Sequence, residues 1–243
     1  MAACASGRKH GTTTAATTTP SAPPTTEPPT TVPPTTTEPT GPARFVPNGD
    51  RTRKQVALTF HGSGDVGLTR QLLDRAAKAS APITVFAVGQ WLQDNPTMAK
   101  EILAGGHELA NHTFTHPALG SVDRAGVARE ITQCRDLLQR QTGTGGLWFR
   151  PSGIDKPTTL MLNEAGAAGY ATIVGYDVDP LDYEDPGAQL VTQRVTSGVK
   201  PGSIVSLHTG HAGTVTAFDG VVAAIRAKGL ELVTVRTLLG THP

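Results

Sequence analysis

Short apolar runs alternate with longer segments of helical period between residues 53 and 239. The period of each segment, together with the breaker residues between segments, distinguishes strands from helices. Seven strands are predicted, at residues 56–60, 83–88, 108–110, 147–150, 171–174, 203–207 and 231–233. Seven helices are predicted, at residues 68–79, 96–104, 123–141, 157–168, 186–197, 214–228 and 234–239.

Strands that alternate with helices in this way predict a parallel sheet that helices cover. The number of units favours a single α/β barrel or near-barrel over two domains. A doubly wound open sheet is the alternative architecture.

Residues 1–50 differ in composition from the rest of the chain. The stretch 12–40 is almost wholly Thr and Pro with a few Ala and Glu, and so has too few apolar side chains to offset the entropy lost on ordering. We therefore predict a disordered tether at residues 1–50 and one barrel domain at residues 51–243.

Cys4 lies near the start of the tether and has two interpretations. With Ala2 and Ala3 it resembles the end of a bacterial lipoprotein signal, where the cysteine becomes lipidated, but the apolar segment of such a signal is absent. Cys4 is therefore expected either to anchor the protein to a membrane through a lipid or to be an ordinary exposed thiol. A tether with such an anchor predicts an extracellular or cell-surface location.

The charge balance limits the partners that we expect. The chain has 21 Lys and Arg against 20 Asp and Glu, a net charge of +1. No basic run is interleaved with aromatic residues, so no nucleic-acid partner is expected. No apolar run approaches the roughly 20 residues that cross a bilayer. No pattern defines an oligomeric state, and a monomer is our expectation.

Reactive side chains follow the ends of several predicted strands. They are His61, Asp65, His112, His116, Arg150, Asp177, Asp179, Asp182 and His208. In an α/β barrel the chemistry collects on the loops that follow the carboxyl ends of the strands. A single histidine or aspartate in a loop is weak evidence, but so many on one rim predict an active site.

The pair His112 and His116 is the sharpest local signal, within the segment HELANHTFTHP. Residues four apart in a helical turn lie about 5–6 Å from each other, so both imidazoles could bind one metal ion. A solvated helix face is the alternative. A catalytic zinc typically takes three protein ligands and a water, so a third ligand is needed. The candidates on the same rim are Asp65, Asp179, Asp182 and His61.

The body of the chain, from Lys54 to about Leu239, resembles the polysaccharide deacetylase family, which has the NodB-homology domain and is also called carbohydrate esterase family 4. The segment GHELANHTFTHP is similar to the second motif of that family, in which the histidine pair binds a divalent metal, commonly zinc. The resemblance implies a distorted (β/α)7 barrel of seven strands, with His112 and His116 as metal ligands.

Three later segments resemble the third, fourth and fifth motifs of the family. WFRPSG implies that Arg150 orients the catalytic carboxylate. DVDPLDY implies that Asp182 tunes the acid histidine, with Tyr183 in place of the usual tryptophan. SIVSLHTG implies that His208 is the general acid.

The first motif departs from the family pattern. The family has Thr-Phe-Asp-Asp-Gly, with a general base and then a metal ligand as its two carboxylates, whereas Thr59 and Phe60 precede His61 and Gly62 here. Asp65 is the nearest replacement. In the division that we favour, Asp65 is the third metal ligand and His61 is the base, which keeps the family's ligand chemistry. In the other, His61 is the ligand and Asp65 is the base. A degenerate loop without metal is the third interpretation.

These residues predict a metal-dependent hydrolase, with Zn²⁺ as the expected metal, that removes acetyl groups from a cell-surface or cell-wall polysaccharide. N-acetyl is favoured over O-acetyl, and peptidoglycan over chitin-like oligomers. The catalytic set is His61, Asp65, Arg150, Asp182 and His208, and the metal ligands are Asp65, His112 and His116. The alternative is a non-catalytic glycan-binding pseudoenzyme. A serine hydrolase lacks support because the chain has no G-x-S-x-G.

Overall fold

The computed structural model describes residues 41–240, so Cys4 and the Thr/Pro-rich stretch lie outside the described residues. None of the helices in this part of the chain combines the length and the apolar character needed to span a membrane. The elements, in chain order, are β1 Arg44–Val46, β2 Gln55–Gly62, α1 Val66–Lys78, β3 Thr84–Ala87, α2 Gly89–Asp94, α3 Met98–Ala104, β4 Glu108–Asn111, α4 Arg124–Thr142, α5 Thr159–Ala167, β5 Thr172–Val174, α6 Ala188–Gly198, β6 Ile204–His208, α7 Ala212–Ala227, β7 Glu231–Val233 and α8 Val235–Leu239.

The predicted α/β barrel is confirmed, and six of the seven predicted strands correspond to β2 through β7. The remaining segment, residues 147–150, is extended but forms only isolated bridges at Phe149. Its backbone pairs with a single residue of β4. The Asn111 N–H donates to the Trp148 carbonyl at 3.0 Å, and the Asn111 carbonyl accepts from the Arg150 N–H at 2.9 Å.

Two elements have no counterpart among the predictions. β1 lies inside residues 1–50 and pairs in parallel with β5, with Arg44 opposite Thr172. The folded domain therefore begins before residue 51. Helix α2 has six residues and begins at Gly89, which is too short a segment to show a helical period.

Parallel pairing brings the carboxyl ends of the strands to one rim. The strand order is β4-β3-β2-β6, and β7 pairs with the first residues of β2. Isolated bridges extend this sheet, from Asn111 to Phe149, from Phe149 to Ile173 in β5, and from Val178 to Val205 in β6. The loops that follow β2, β4, β5 and β6 therefore meet around the same opening.

Alternate residues of β2 face two buried apolar layers. Val56, Leu58 and Phe60 pack with residues of α1 and α7, whereas Ala57 packs with Phe86 and other residues in the barrel interior. All five are fully buried, and burial of each large apolar side chain stabilises the fold by about 1.5–3 kcal/mol. Burial on both faces explains why this strand is an almost continuous apolar run.

Gly166 in α5 packs closely against the chain segment that precedes β1. A Cβ at Gly166 would lie 2.2 Å from the Gly41 carbonyl oxygen and 3.1 Å from the Ala43 nitrogen. We expect Gly166→Ala to lower the free energy of unfolding by about 1–3 kcal/mol, because overpacking outweighs a gain of up to about 1 kcal/mol in helix propensity. In α7 a Cβ at Gly213 meets no atom within 4 Å, so Gly213→Ala should be neutral or stabilising. Urea denaturation measures both, and a stabilised Gly166→Ala variant would contradict the packing described here.

Candidate active site

A cavity of about 480 Å³ opens at the rim where the strands end. One side of it carries four of the histidines that follow predicted strands, namely His61, His112, His116 and His208. The structure therefore brings together the imidazoles that lie far apart in the sequence. Asp179 of the predicted rim also lines this cavity, whereas four other rim residues do not, namely Asp65, Arg150, Asp177 and Asp182.

His61 and His208 face each other because their strands run in register. His61 in β2 is the direct partner of His208 in β6, and the Nδ1 of His61 lies 3.0 Å from the Nε2 of His208. The His61 ring also stacks on His112, with centroids 4.2 Å apart. Burial, followed by the neighbouring His112 and Arg150, holds the pKa of His61 well below its ordinary value, so this imidazole is neutral.

Arg150 lies buried beneath the histidines. Its guanidinium donates to the Val174 and Gly175 carbonyls and to the Thr59 hydroxyl at 2.9–3.0 Å, and it lies 4.0 Å from the centroid of the Phe86 ring. Burial lowers its pKa to about 9, so it remains a cation at neutral pH. The Nη1 of Arg150 also lies 3.2 Å from the Nε2 of His61.

The direction of these hydrogen bonds follows from the donors. A guanidinium has no acceptor, so the Nε2 of His61 must accept and its proton must be on Nδ1. The His61 Nδ1–H then donates to the Nε2 of His208. The remaining His208 nitrogen, Nδ1, carries the proton and donates to the Asp182 Oδ1 at 2.8 Å. The chain Arg150–His61–His208–Asp182 therefore has one proton arrangement when both imidazoles are neutral.

Both carboxylate oxygens of Asp182 accept hydrogen bonds. Its Oδ2 accepts from the backbone N–H of His208 at 2.9 Å and from the Thr214 hydroxyl at 2.5 Å. The carboxylate is 1% exposed. A buried carboxylate in this position orients the imidazole and stabilises its protonated form. The ring of Tyr183 stands edge-on to His208, with centroids 5.4 Å apart.

His112 has the geometry of a metal ligand. Its Nδ1–H donates to the Arg150 carbonyl at 2.9 Å, which leaves the lone pair on Nε2. That Nε2 is buried and has no hydrogen-bond partner. Burial lowers the pKa of both His112 and His116, whose rings lie 4.9 Å apart, and the neutral imidazole is the form that binds metal.

The histidine pair lies in a strained loop that α4 holds in place. Thr113 and His116 have φ angles of 68° and 60°, in the left-handed region that side chains other than glycine rarely adopt. Glu130 in α4 accepts from the N–H groups of Phe114 and Thr115, each at 2.8 Å, and from the Thr115 hydroxyl at 2.6 Å. A carboxylate on a 19-residue helix thereby fixes the backbone between the two histidines.

Asp65 has a different position from the one that we favoured. It is the N-cap of α1, is exposed, and its Oδ1 accepts from the Leu68 N–H at 2.8 Å. Gly64, at φ 79°, lets the chain turn into this helix, and its carbonyl accepts from the Trp91 indole at 2.9 Å. The structure therefore does not bring Asp65 to the histidine pair.

Asp177 also lies away from the cavity. It accepts from the Ile204 N–H at 2.8 Å and pairs with Arg51 at 2.7 Å, at the start of β6 rather than at its end. Asp179, in contrast, lines the cavity, and burial raises its pKa. The segment after β5 thus supplies the site through its later residues.

Two cavity residues were missed by sequence reasoning. The Tyr176 hydroxyl donates to the Asp155 Oδ1 at 2.6 Å, and both residues line the cavity. Tyr176 follows the end of β5, so the rule that selected the other rim residues applies to it as well. An aromatic hydroxyl at the end of a strand can therefore belong to the rim, as histidines and charged groups do.

The residues fit part of a zinc site. The unpartnered Nε2 of His112 and the neighbouring His116 supply two of the three protein ligands that a catalytic zinc usually takes. Between residues 41 and 240, no group of three or more His, Cys, Asp or Glu side chains is placed to hold a metal ion. His61 is the nearest further nitrogen donor, but both of its ring nitrogens have other partners.

Comparisons with known proteins identify the family of this chain. Residues 48–173 match the family described as Polysaccharide deacetylase. A chitooligosaccharide deacetylase of Sinorhizobium fredii is 32% identical over 69% of this chain and 77% of its own length. A peptidoglycan-N-acetylglucosamine deacetylase of Bacillus cereus is 31% identical over 80% of this chain and 91% of its own. The chain belongs to the polysaccharide deacetylase family.

Solved structures superpose on the same domain. A peptidoglycan N-acetylglucosamine deacetylase in complex with a hydroxamate-type benzamide gives a TM-score of 0.76 at 27% identity, over 82% of this chain and 94% of its own. A pseudoenzyme of carbohydrate esterase family 4 from Bacillus anthracis gives 0.75 at 23% identity, over 80% and 68%. At that identity the second likeness shows the fold alone.

Substitutions at Asp65 separate a helix cap from a metal ligand. Asparagine caps helices as well as aspartate does, so Asp65→Asn should leave the free energy of unfolding and the Zn²⁺ affinity nearly unchanged. Asp65→Ala should lower the free energy of unfolding by about 1 kcal/mol because the Leu68 N–H loses its acceptor. Urea denaturation and Zn²⁺ titration measure the two effects. Loss of Zn²⁺ binding in the asparagine variant would contradict this assignment and indicate that Asp65 is a metal ligand.

Substitutions at Glu130 test the support of the histidine loop. Glu130→Ala leaves three donors without an acceptor, so we expect the Zn²⁺ affinity to fall about 10–100-fold. In Glu130→Gln the amide oxygen can still accept from both N–H groups and the amide NH₂ can donate to the Thr115 hydroxyl, so the affinity should be largely retained. Competition with a chromophoric chelator measures both, and Glu164→Gln, which alters a carboxylate in α5, is the matched control. Equal affinities for the alanine and glutamine variants would show that the loop does not depend on this carboxylate.

Proposed function

We propose that this protein removes acetyl groups from the N-acetylated sugars of an extracellular polysaccharide, with peptidoglycan as the preferred substrate and chitin-like oligomers as the second. The observation that carries the proposal is the buried Asp182–His208 pair, whose imidazole reaches the cavity. The names of the relatives, a peptidoglycan deacetylase and a chitooligosaccharide deacetylase, support the substrate class.

The His–Asp pair supplies the proton chemistry that amide hydrolysis needs. The leaving group is an amine, which departs readily only when it receives a proton. A His208 imidazolium, held by Asp182 through Nδ1, has an Nε2 proton at the edge of the cavity to give to that nitrogen. A protein that only binds glycan has no need for a buried carboxylate behind an imidazole.

The other residues that line the cavity suit a sugar. Tyr183 is 46% exposed beside His208 and offers an aromatic face for a pyranose ring. Tyr176, Asp155 and Asp179 supply polar groups that could bind sugar hydroxyls. An apolar face with a few oriented polar groups is the usual construction of a small-ligand site.

We also propose that a divalent metal, Zn²⁺ in preference, binds to the Nε2 of His112 and to His116. A metal ion held there would polarise the acetyl carbonyl and lower the pKa of a bound water. The orphaned Nε2 of His112 supports this proposal. A third protein ligand is not defined by the described residues.

The location follows from the substrate. A deacetylase of cell-wall glycan acts outside the cytoplasm, and the Thr/Pro-rich tether is suited to carry a catalytic domain into that layer. Lipidation of Cys4 would anchor it at the membrane. We propose that the protein acts as a monomer.

A second function has an observation in its favour. Both carboxylates of the family's first motif are replaced, and Asp65, the nearest acid, is used as a helix cap. A glycan-binding protein that has lost turnover is consistent with that change. It predicts saccharide binding without acetate release.

Acetate release from acetylated chitooligomers and from peptidoglycan separates the two functions. The wild-type protein should release acetate, and His208→Asn should lower kcat by about 10²–10⁴-fold because the proton donor is lost. His211→Asn is the matched control, because His211 also pairs with an aspartate, Asp185, at 2.9 Å but does not line the cavity. Saccharide binding by wild-type protein that releases no acetate would support the glycan-binding function instead.

A further inference from the structure

Two aspartates that line the cavity, Asp155 and Asp179, take no part in the proton chemistry of the Asp182–His208 pair. Both belong to loops at the rim, Asp155 to the segment that follows residues 147–150 and Asp179 to the segment that follows β5. Asp155 is exposed and Asp179 is half-buried, so a ligand in the cavity can reach both carboxylates. Their position makes them candidates for contact with the substrate.

Tyr176 lies close to both of these carboxylates. Its hydroxyl donates to the Asp155 Oδ1 at 2.6 Å, and it precedes Asp179 by three residues in the chain. Burial, followed by the hydrogen bond to Asp155 and the charges of Asp155 and Asp179, raises the pKa of Tyr176. Burial also raises the pKa of Asp179, and the charges of Asp182 and Asp155 add to that rise. Asp155 and Asp179 are therefore neighbouring carboxylates that repel each other.

No basic side chain pairs with either carboxylate in the described part of the chain. The other aspartates of residues 177–185 each have a basic partner, in the pairs Asp177–Arg51, Asp182–His208 and Asp185–His211. Arg150 lies buried beneath the histidines, and neither Arg150 nor the exposed Lys156 lines the cavity. The cavity therefore presents two carboxylates to a ligand without a Lys or Arg side chain beside them.

Each carboxylate also has one oxygen available to a ligand. The Asp155 Oδ1 accepts from Tyr176, and the Asp179 Oδ1 accepts from the Leu181 N–H at 2.9 Å. Among residues 41–240, no donor reaches the Oδ2 of either aspartate. An ammonium group has three N–H donors and a positive charge, so it can donate to both free oxygens and also balance the charge of the pair.

Deacetylation itself produces such a group on the glycan. The reaction converts a neutral acetamide into an amine, and an amine next to carboxylates is protonated at neutral pH. A glycan that has lost some of its acetyl groups therefore carries ammonium groups near the acetamides that remain. The volume of the cavity, about 480 Å³, lies within the range of roughly 300–1,000 Å³ for pockets that hold drug-sized ligands, so more than one sugar ring can enter.

We propose that Asp155 and Asp179 bind the ammonium group of a sugar that has already lost its acetyl group, while a neighbouring N-acetylated sugar of the same glycan reacts beside His208. This inference rests on the proposed deacetylase function and adds a specificity to it. The pair favours a partly deacetylated glycan over a fully acetylated one. Each reaction therefore makes the glycan a better substrate for the next, and deacetylated sugars accumulate in clusters along the chain.

A set of chitotetraoses that carry one glucosamine unit, at each position in turn, tests this specificity. For at least one of them we expect the wild-type kcat/KM to be about threefold to tenfold higher than for fully acetylated chitotetraose, as one partly screened charge-assisted contact would give. This ratio should fall below about twofold in Asp155→Asn and in Asp179→Asn. Because both values come from the same variant, a general loss of activity cancels. Asp185→Asn is the matched control and should keep the wild-type ratio, since Asp185 is exposed in the same segment but does not line the cavity.

The outcomes separate this inference from the proposed function. A wild-type ratio near 1 for every oligomer, or a preference that persists when both aspartates are replaced by asparagine, would overturn the inference while leaving the deacetylase function in place. A wild-type protein that releases no acetate from any oligomer would instead contradict the proposed function. Calorimetric titration with the same oligomers then still tests the pair, because tighter binding of an amine-containing oligomer by the wild type than by the double variant requires no turnover, and equal binding would overturn the inference.

Discussion

The buried guanidinium of Arg150 is the constraint on which the site depends. It holds the hydroxyl of Thr59 and two backbone carbonyls around the end of β5, and it fixes the acceptor nitrogen of His61. The backbone carbonyl of the same residue fixes the proton of His112. No carboxylate within residues 41–240 lies at ion-pair distance from this cation, so its charge is balanced by oriented dipoles. One residue thereby sets the tautomers of His61 in β2 and of His112, which follows the end of β4.

The sequence predicts the scaffold well because the scaffold follows from local pattern. The run VALTF is apolar on both faces and becomes the doubly buried strand β2. The long helix that contains Glu130 shows its period over 19 residues. Residues 147–150 show the limit of this reasoning, because the apolar run correctly predicts an extended segment, whereas its pairing is reduced to isolated bridges from Phe149 to Asn111 and to Ile173.

The site was predicted only in part because side-chain direction is decided by non-local geometry. That His61 and His208 meet depends on the register of β2 against β6, which no feature of either segment encodes. Asp65 shows the reverse case, in which a local interaction prevails. The glycine turn before it delivers the chain to the start of α1, where the carboxylate satisfies a free N–H at once and is not available to the cavity. The sequence pattern S-G-D before an apolar helix contained that signal.

The contact between Arg150 and residue 61 has a consequence for how the chemistry of this fold can change. Arg150 stays anchored by Thr59 and by the carbonyls of Val174 and Gly175 whatever residue stands at position 61. The contacts that hold Arg150 therefore stay in place, whereas the residue at position 61 can be replaced without rearrangement of the surrounding strands. A barrel constructed in this way can gain, lose or redistribute reactivity over its history through one side chain, at little risk to folding.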